Sequence, residues 1–194
     1  MENFLKSTNL IDWQTPAVLA KAQELAGQER DPHCIIRRCF EWVRDEIKHT
    51  GDCGLTPVTC AASEVLAEGS GFCYAKSHLL AALLRANGIP TGLCYQRLCM
   101  DDDGRQFCLH GLNAVWLPGS GWYRIDARGN RAGIDAQFAP PIERLAFTIS
   151  REGEADLPEV WADPLPVVVE ALLSNESAQE MRLPDVEVWR PGLG

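Results

Sequence analysis

The sequence from Gly71 to Pro90 reads GFCYAKSHLLAALLRANGIP and carries the clearest helix signal in the chain. Leucine and alanine occupy many positions of residues 73–87, which predicts a central and largely buried helix. Asn87-Gly88 is a typical helix end, and Pro90 prevents the helix from continuing. Cys73 therefore lies at the first position of the predicted helix.

A cysteine at a helix start has distinctive chemistry. The first backbone N–H groups of a helix lack intrahelical partners and carry partial positive charge, which lowers the pKa of a nearby thiol. The same groups can face the oxyanion that forms when a thiolate attacks a carbonyl. Cys73 is thus a candidate nucleophile, although it is also one of eight cysteines that could be small buried residues.

A nucleophilic thiol needs a base, and the base needs a group that orients it. Of the four histidines, His33 is interpreted as a surface or capping residue. His49 is interpreted as a residue at the end of a helix, where a cation suits the helix dipole. His78 lies five residues into the central helix and points about 140° away from Cys73. His110 remains as the candidate base.

After the central helix, the sequence changes to strands separated by turns. The predicted strands cover residues 91–100, 107–117 and 122–127. Their short connections predict antiparallel pairing in sequence order. Folding the second hairpin about Gly119 places Asp126 one pair away from His110 on the same face, within side-chain reach. A loop with an even number of residues would put Asp126 on the other face, so the spacing permits this pair without requiring it.

Helical patterns also occur on both sides of this region. One helix is predicted at residues 15–27, a second starts at Pro32 and runs for about four turns, and a third covers residues 61–67. Residues 131–194 are rich in Pro, Glu and Asp, with one short helix near residues 166–174. The chain is therefore predicted to form a single domain, with a core at about residues 32–130 and a C-terminal extension that packs on it.

Composition excludes several classes of function. The 194 residues carry 27 acidic and 18 basic side chains, a net charge of -9, and the basic residues are not clustered. Binding to nucleic acid or to an anionic membrane surface requires a basic face, so neither is expected. No apolar run is long enough for a membrane span, and the first residues lack a secretory signal pattern. A cytoplasmic protein with reduced thiols is expected.

Two other interpretations of the candidate residues remain open. Cys94, Cys99, Cys108 and His110 could together bind zinc, but the chain has no Cys-x-x-Cys pair of the kind that structural zinc sites use. The protein could also be a catalytically inactive binding module, because a fold does not determine a function. No metal or other cofactor is expected in the favoured interpretation.

The ordered motifs resemble the transglutaminase-like superfamily over about residues 32–130. The resemblance rests on the Gly71–Pro90 stretch, on Trp42-Val43-Arg44-Asp45-Glu46-Ile47 in the preceding helix, and on the later His and Asp. It implies a papain-like α+β fold, in which the Cys-bearing helix packs on an antiparallel sheet that presents the other two residues. It also implies that Cys73 is the nucleophile, His110 the base and Asp126 the residue that orients the base.

The chain departs from the family pattern at two places. His110-Gly111-Leu112 stands where His-Ala-Trp is usual, and Asp126-Ala127-Arg128 stands where Asp-Pro-Thr is common. The resemblance implies acyl transfer through a thioester on a peptide or other amide-containing substrate, with a peptidase or amidase favoured over a cross-linking transglutaminase. The residues that bind the substrate, the second oxyanion donor and the oligomeric state are not identified by the sequence.

Overall fold

The computed structural model describes residues 1–101, 103–175 and 177–186, and within them the chain forms five α-helices. They are α1 (Pro16–Ala26), α2 (Pro32–Glu46), α3 (Ala62–Glu68), α4 (Cys73–Ala86) and α5 (Pro166–Leu173). Each starts within one residue of its predicted position. Three of them begin with proline, whose fixed φ suits the first helical turn, so the sequence marks these starts locally.

Helix α4 is the central element of the fold. Every residue from Cys73 to Arg85 is buried. A helix that is covered on all sides requires apolar or small residues around its whole circumference, which explains its leucine and alanine content. Its N-terminus, and therefore Cys73, is held at a fixed position by packing on several sides.

Within the described residues, the strands form two sheets. In chain order they are β1 (Lys48–His49), β2 (Ser70–Gly71), β3 (Thr91–Cys99), β4 (Phe107–Leu117), β5 (Gly121–Ile125) and β6 (Ala155–Asp156). The larger sheet has the order β5-β4-β3-β6 and is antiparallel throughout. The predicted α+β class and the predicted pairing of β3, β4 and β5 are confirmed.

The short parallel pair of β1 and β2 was not predicted. Lys48 pairs with Ser70 and His49 with Gly71, so β1 lies directly beside the residues that lead into α4. The prediction that His49 ends helix α2 is wrong, because that helix stops at Glu46 and the chain then becomes extended. Two-residue strands have no hydrophobic period, which is the main signal for a strand in a sequence.

Segments from both ends of the chain contact α4 through Arg85. Its buried guanidinium donates hydrogen bonds to the carbonyls of Lys6, Thr91 and Ala162. Farther along, the backbone N–H of Leu109 donates to the carbonyl of Pro184 at 2.7 Å. Residue 176 and residues 187–194 of the predicted C-terminal extension lie outside the described residues.

The described residues were also searched for membrane-spanning segments. None of their helices combines the length and the apolar character that crossing a bilayer requires.

Candidate active site

Cys73 occupies the first position of α4 and lies against β4. Its side chain is buried, with 8% of the residue exposed. The backbone N–H of Gly111 points at the sulfur, at an N···Sγ distance of 3.5 Å. The thiol therefore lies at the junction of the N-terminus of the central helix and the middle strand of the sheet.

His110 and Asp126 form a buried pair beside this thiol. His110 Nε2 lies 2.7 Å from Asp126 Oδ2, and both side chains are almost fully buried. The β4–β5 register pairs Asn113 with Ile125, so the next residue, Asp126, falls opposite Leu112 as the hairpin spacing predicted. Because Nε2 faces the carboxylate, Nδ1 is the ring nitrogen available to the thiol.

The carboxylate of Asp126 is held by more than the histidine. Its Oδ2 also accepts a hydrogen bond from the backbone N–H of Ala146 at 3.0 Å, and its Oδ1 accepts one from the N–H of Arg128 at 3.2 Å. The His110 ring packs edge-to-face against Phe147, with ring centroids 4.9 Å apart. These contacts fix the plane of the imidazole and exclude water from its carboxylate side.

The electrostatic interactions among Cys73, His110 and Asp126 favour a negatively charged Cys73 and a positively charged His110. Burial raises the pKa of the Cys73 thiol, but the charge of His110 and hydrogen bonding with His110 and His49 outweigh burial and lower that pKa to about 6. Burial lowers the pKa of His110, but the charges of Asp126 and Cys73, and hydrogen bonds to both, raise it to about 10. At neutral pH these shifts favour a thiolate beside an imidazolium.

Asp126 stays ionised in this arrangement. Burial alone would raise the pKa of its carboxyl, but the charge and hydrogen bond of His110 and the N–H groups of Ala146 and Arg128 hold the pKa below its ordinary value. The carboxylate therefore balances the positive charge on His110 without taking up its proton.

The thiol opens into a cleft of about 620 Å³. Apolar side chains form much of its lining, and they include Phe72, Leu98, Leu109, Phe147 and Leu183. The polar side chains of His49, His110 and Arg128 also line this cleft. An apolar cleft with a few polar groups at one point is the common form of a small-molecule or peptide site.

The comparison with protein families agrees with this geometry. The sequence model of the transglutaminase-like superfamily matches residues 19–127, which is more than half of the chain and includes Cys73, His110 and Asp126. The chain belongs to the transglutaminase-like superfamily. No curated protein matches the chain.

Solved structures resemble this transglutaminase-like chain at low sequence identity. A candidate cysteine protease from Cytophaga hutchinsonii superposes with a TM-score of 0.52 at 20% identity, covering 64% of this chain and 40% of that one. The periplasmic domain of TgpA from Pseudomonas aeruginosa gives a TM-score of 0.46 at 24% identity, covering 58% of this chain and 42% of that one. The chain thus spans about two fifths of the length of these structures.

The structure explains the first departure from the family pattern, Gly111 in place of alanine. A Cβ at position 111 would lie 2.8 Å from Tyr74 Cδ1 and 3.1 Å from Tyr74 Cα. Both distances are shorter than side chains normally tolerate, and the second involves backbone that cannot rotate away. The missing side chain therefore lets the start of α4 approach β4 closely enough for the Gly111 N–H to reach Cys73.

Replacing Gly111 with alanine is expected to push the start of α4 away from the sheet. We expect a loss of about 1–3 kcal/mol in the free energy of unfolding, the usual cost of overpacking, together with a slower reaction of Cys73 with electrophiles. Urea unfolding measures the first effect and alkylation kinetics the second. A variant as stable and as reactive as the wild type would contradict the close-approach explanation.

The second departure places Arg128 two residues after Asp126. Its guanidinium makes two hydrogen bonds to the carboxylate of Asp52, at 2.6 and 2.9 Å. Asp52 belongs to the turn that follows β1, so this ion pair ties the end of the His110–Asp126 hairpin to the segment that carries His49.

His49 is the site residue that the sequence analysis missed. It lines the cleft beside Cys73 and lowers the pKa of that thiol, whereas it was interpreted as a helix-end residue. The other two histidines lie apart from the cleft. His33 is exposed, and His78 is buried with its Nδ1 2.8 Å from the carbonyl oxygen of Cys60.

The zinc-binding alternative finds no support in the described part of the chain. Residues 1–101, 103–175 and 177–186 contain no group of three or more His, Cys, Asp or Glu side chains arranged to hold a metal ion. Cys94 packs in a separate small cluster with Leu112 and Ala114, on the same sheet but away from the cleft.

Proposed function

We propose that the protein is a cysteine-dependent acyl-transfer enzyme, with Cys73 as nucleophile, His110 as general base and acid, and Asp126 as the residue that orients His110. The observation that carries this proposal is the buried His110–Asp126 pair at 2.7 Å beside a thiol of lowered pKa, at the mouth of a cleft. A nucleophile, a base and an orienting group in this order constitute the machinery of covalent acyl transfer.

In the proposed reaction the Cys73 thiolate attacks the carbonyl carbon of an amide. The carbon–oxygen π bond breaks and its electron pair moves to the oxygen, giving a tetrahedral oxyanion. As this intermediate collapses, the carbon–nitrogen bond breaks and His110 delivers its proton to the leaving amine, which leaves a thioester on Cys73. Water then attacks the thioester while His110 takes up a proton, and the acid product leaves with the thiolate regenerated.

We favour hydrolysis of a peptide or related amide over cross-linking. A candidate cysteine protease shares the fold of this chain, and the apolar lining of the cleft suits an apolar side chain next to the scissile bond. Hydrolysis and amine transfer share the first half of the reaction and differ only in what attacks the thioester. Measuring free acid against amide product with a lysine analogue present separates the two outcomes.

The cellular location follows from the thiols as a further proposal. All eight cysteines are free, including buried Cys39, Cys60 and Cys94. Unpaired thiols in this number suit a reducing compartment such as the cytoplasm. Cell fractionation with an antibody to the native protein tests this location.

Selective alkylation of Cys73 is the expected result that tests the proposed function. At pH 7, iodoacetamide should label Cys73 first, because burial raises the pKa of both Cys94 and Cys108 to about 12. The alkylation rate of Cys73 should fall as the pH drops through about 6, because the lowered pKa keeps the Cys73 thiol ionised down to about that pH. Peptide mass mapping over a pH series measures both effects.

Cys108 serves as the matched control thiol, since it lines the same cleft without the neighbouring imidazole arrangement. If Cys73 labelled no faster than Cys108 at neutral pH, or if its rate rose only near pH 9, Cys73 would not be an activated nucleophile. The inactive binding-module interpretation would then be preferred.

A further inference from the structure

A second histidine lines the cleft together with Cys73 and does not belong to the His110–Asp126 pair. His49 lies on β1, where it pairs with Gly71, two residues before Cys73. Only 12% of its side chain is exposed, and it lines the cleft. The proposed acyl-transfer mechanism uses only one histidine and leaves His49 without a role.

The surroundings of His49 fix which ring nitrogen carries a proton. The backbone N–H of Asp52 donates to His49 Nδ1 at 3.2 Å, so Nδ1 acts as an acceptor. A neutral imidazole whose Nδ1 accepts must carry its proton on Nε2. Nε2 is therefore the ring nitrogen of His49 that can donate a hydrogen bond inside the cleft that it lines together with Cys73.

The orientation of the ring is held by rigid neighbours. Phe72 packs edge-to-face against the imidazole with ring centroids 5.9 Å apart, and the Asp52 side chain is clamped by the two hydrogen bonds from Arg128. A donor held in this way loses little freedom when a charge forms beside it.

We propose that His49 is a further catalytic residue, whose Nε2–H stabilises the oxyanion that forms when Cys73 attacks a carbonyl. This inference rests on the proposed acyl-transfer function. His49 keeps its proton throughout, while His110 carries out the proton transfers to and from the reacting groups. The backbone N–H groups at the start of α4 supply the other donors to the same oxygen.

Asp52 and Arg128 act as positioning residues for His49. Neither side chain touches the reacting atoms. Their ion pair holds the loop in which the backbone N–H of Asp52 points at His49 Nδ1. This role accounts for arginine at position 128, the second departure from the family pattern. Arg128 thus connects Asp126, two residues before it in the chain, to Asp52, whose backbone N–H donates to the proposed oxyanion donor His49.

Two reactions of the same thiol separate an oxyanion donor from a second base. Alkylation by iodoacetamide needs the thiolate but forms no oxyanion, whereas acylation by 4-nitrophenyl acetate needs both. Both rates should be measured at pH 8 for the wild-type protein, His49→Ala and His49→Gln. His33→Ala is the matched control, since His33 is exposed and lies outside the cleft.

For His49→Ala we expect acylation to fall by about 10²–10³-fold, the usual effect of removing one oxyanion donor, and alkylation to change by less than about 3-fold. Gln retains an N–H donor, so His49→Gln should recover part of the acylation rate. Thermal unfolding of each variant checks that the fold is intact, and His33→Ala should behave as wild type in both reactions.

Two results would overturn the assignment. A parallel fall in both rates would make His49 a second base, and no change in either rate would make it a structural residue. Failure of the proposed function looks different, because the wild-type protein itself would then show no acylation at Cys73.

Discussion

Replacing His110 with alanine is expected to lower the rate of Cys73 acylation by on the order of 10⁴-fold at pH 7. The variant loses the group that we propose accepts the thiol proton and delivers it to a leaving amine. It also loses the positive charge that holds the thiol pKa down, so burial then dominates and raises that pKa. Acylation by 4-nitrophenyl acetate, followed by intact-mass measurement, gives the rate directly.

The same variant has a signature in its pH profile. In the wild-type protein the reactivity of Cys73 should fall below about pH 6, whereas in His110→Ala the fall should move to well above neutral pH. His33→Ala provides the control, since His33 is an exposed histidine. An acylation rate within tenfold of the wild-type rate, with an unchanged profile, would show that His110 is not the base.

Replacing Asp126 with alanine is expected to lower the free energy of unfolding by about 3–5 kcal/mol near pH 6, since removal of one partner leaves a buried ion without its counter-charge. Asp126 is fully buried, and the carboxylate is the acceptor for His110 Nε2 and for the N–H groups of Ala146 and Arg128. All three donors lose their partner at once in the variant. Urea unfolding of the two proteins measures the difference.

The difference should depend on pH in a defined direction. The folded-state pKa of Asp126 is held below the ordinary value, so its stabilising contribution is present above about pH 4 and is lost as the pH falls through the folded-state pKa. His110, whose folded-state pKa is raised to about 10, contributes fully below about pH 6.5 and progressively less as the pH rises toward 10. The largest difference therefore lies between about pH 4 and 6.5.

Asp135→Ala is a suitable control for Asp126→Ala, because Asp135 is an exposed carboxylate that accepts a hydrogen bond from the Gln137 side chain. It should change stability by less than about 0.5 kcal/mol. Asp126→Asn preserves the shape of the side chain and removes its charge together with one of the two acceptor oxygens. Equal stability of Asp126→Ala and wild type near pH 6 would show that the carboxylate does not support the fold.

The two departures from the family pattern have separate structural reasons. Gly111 removes a side chain that would meet Tyr74, so the helix that begins at Cys73 can lie directly on the strand beside His110. Arg128 supplies the guanidinium that holds the Asp52 carboxylate, and the backbone N–H of Asp52 donates to His49 Nδ1. Both changes act on the position of groups around Cys73 and leave the chemical types of Cys73, His110 and Asp126 unchanged.

The sequence by itself determined the elements whose signals are local. Proline at the starts of α1, α2 and α5 and the Asn87-Gly88 end of α4 depend on backbone conformation within a single turn. The hairpin register is also local, because a turn centred on Gly119 fixes every pair from Leu117–Gly121 to Asn113–Ile125. The spacing therefore permitted the proximity of His110 and Asp126, and the observed register is the one of the two possible registers that places them on the same face.

Only the tertiary structure decided what surrounds the thiol. His49 reaches Cys73 because β1 and β2, separated by 20 residues of chain, pair over two residues each, and so short a pairing leaves no periodic signal. The closeness of Gly111 to Tyr74, and the N–H that Ala146 donates to Asp126, likewise depend on how α4 and the C-terminal segment pack on the sheet. Packing between distant segments follows from the shapes of many side chains together, so it is not encoded in any one motif.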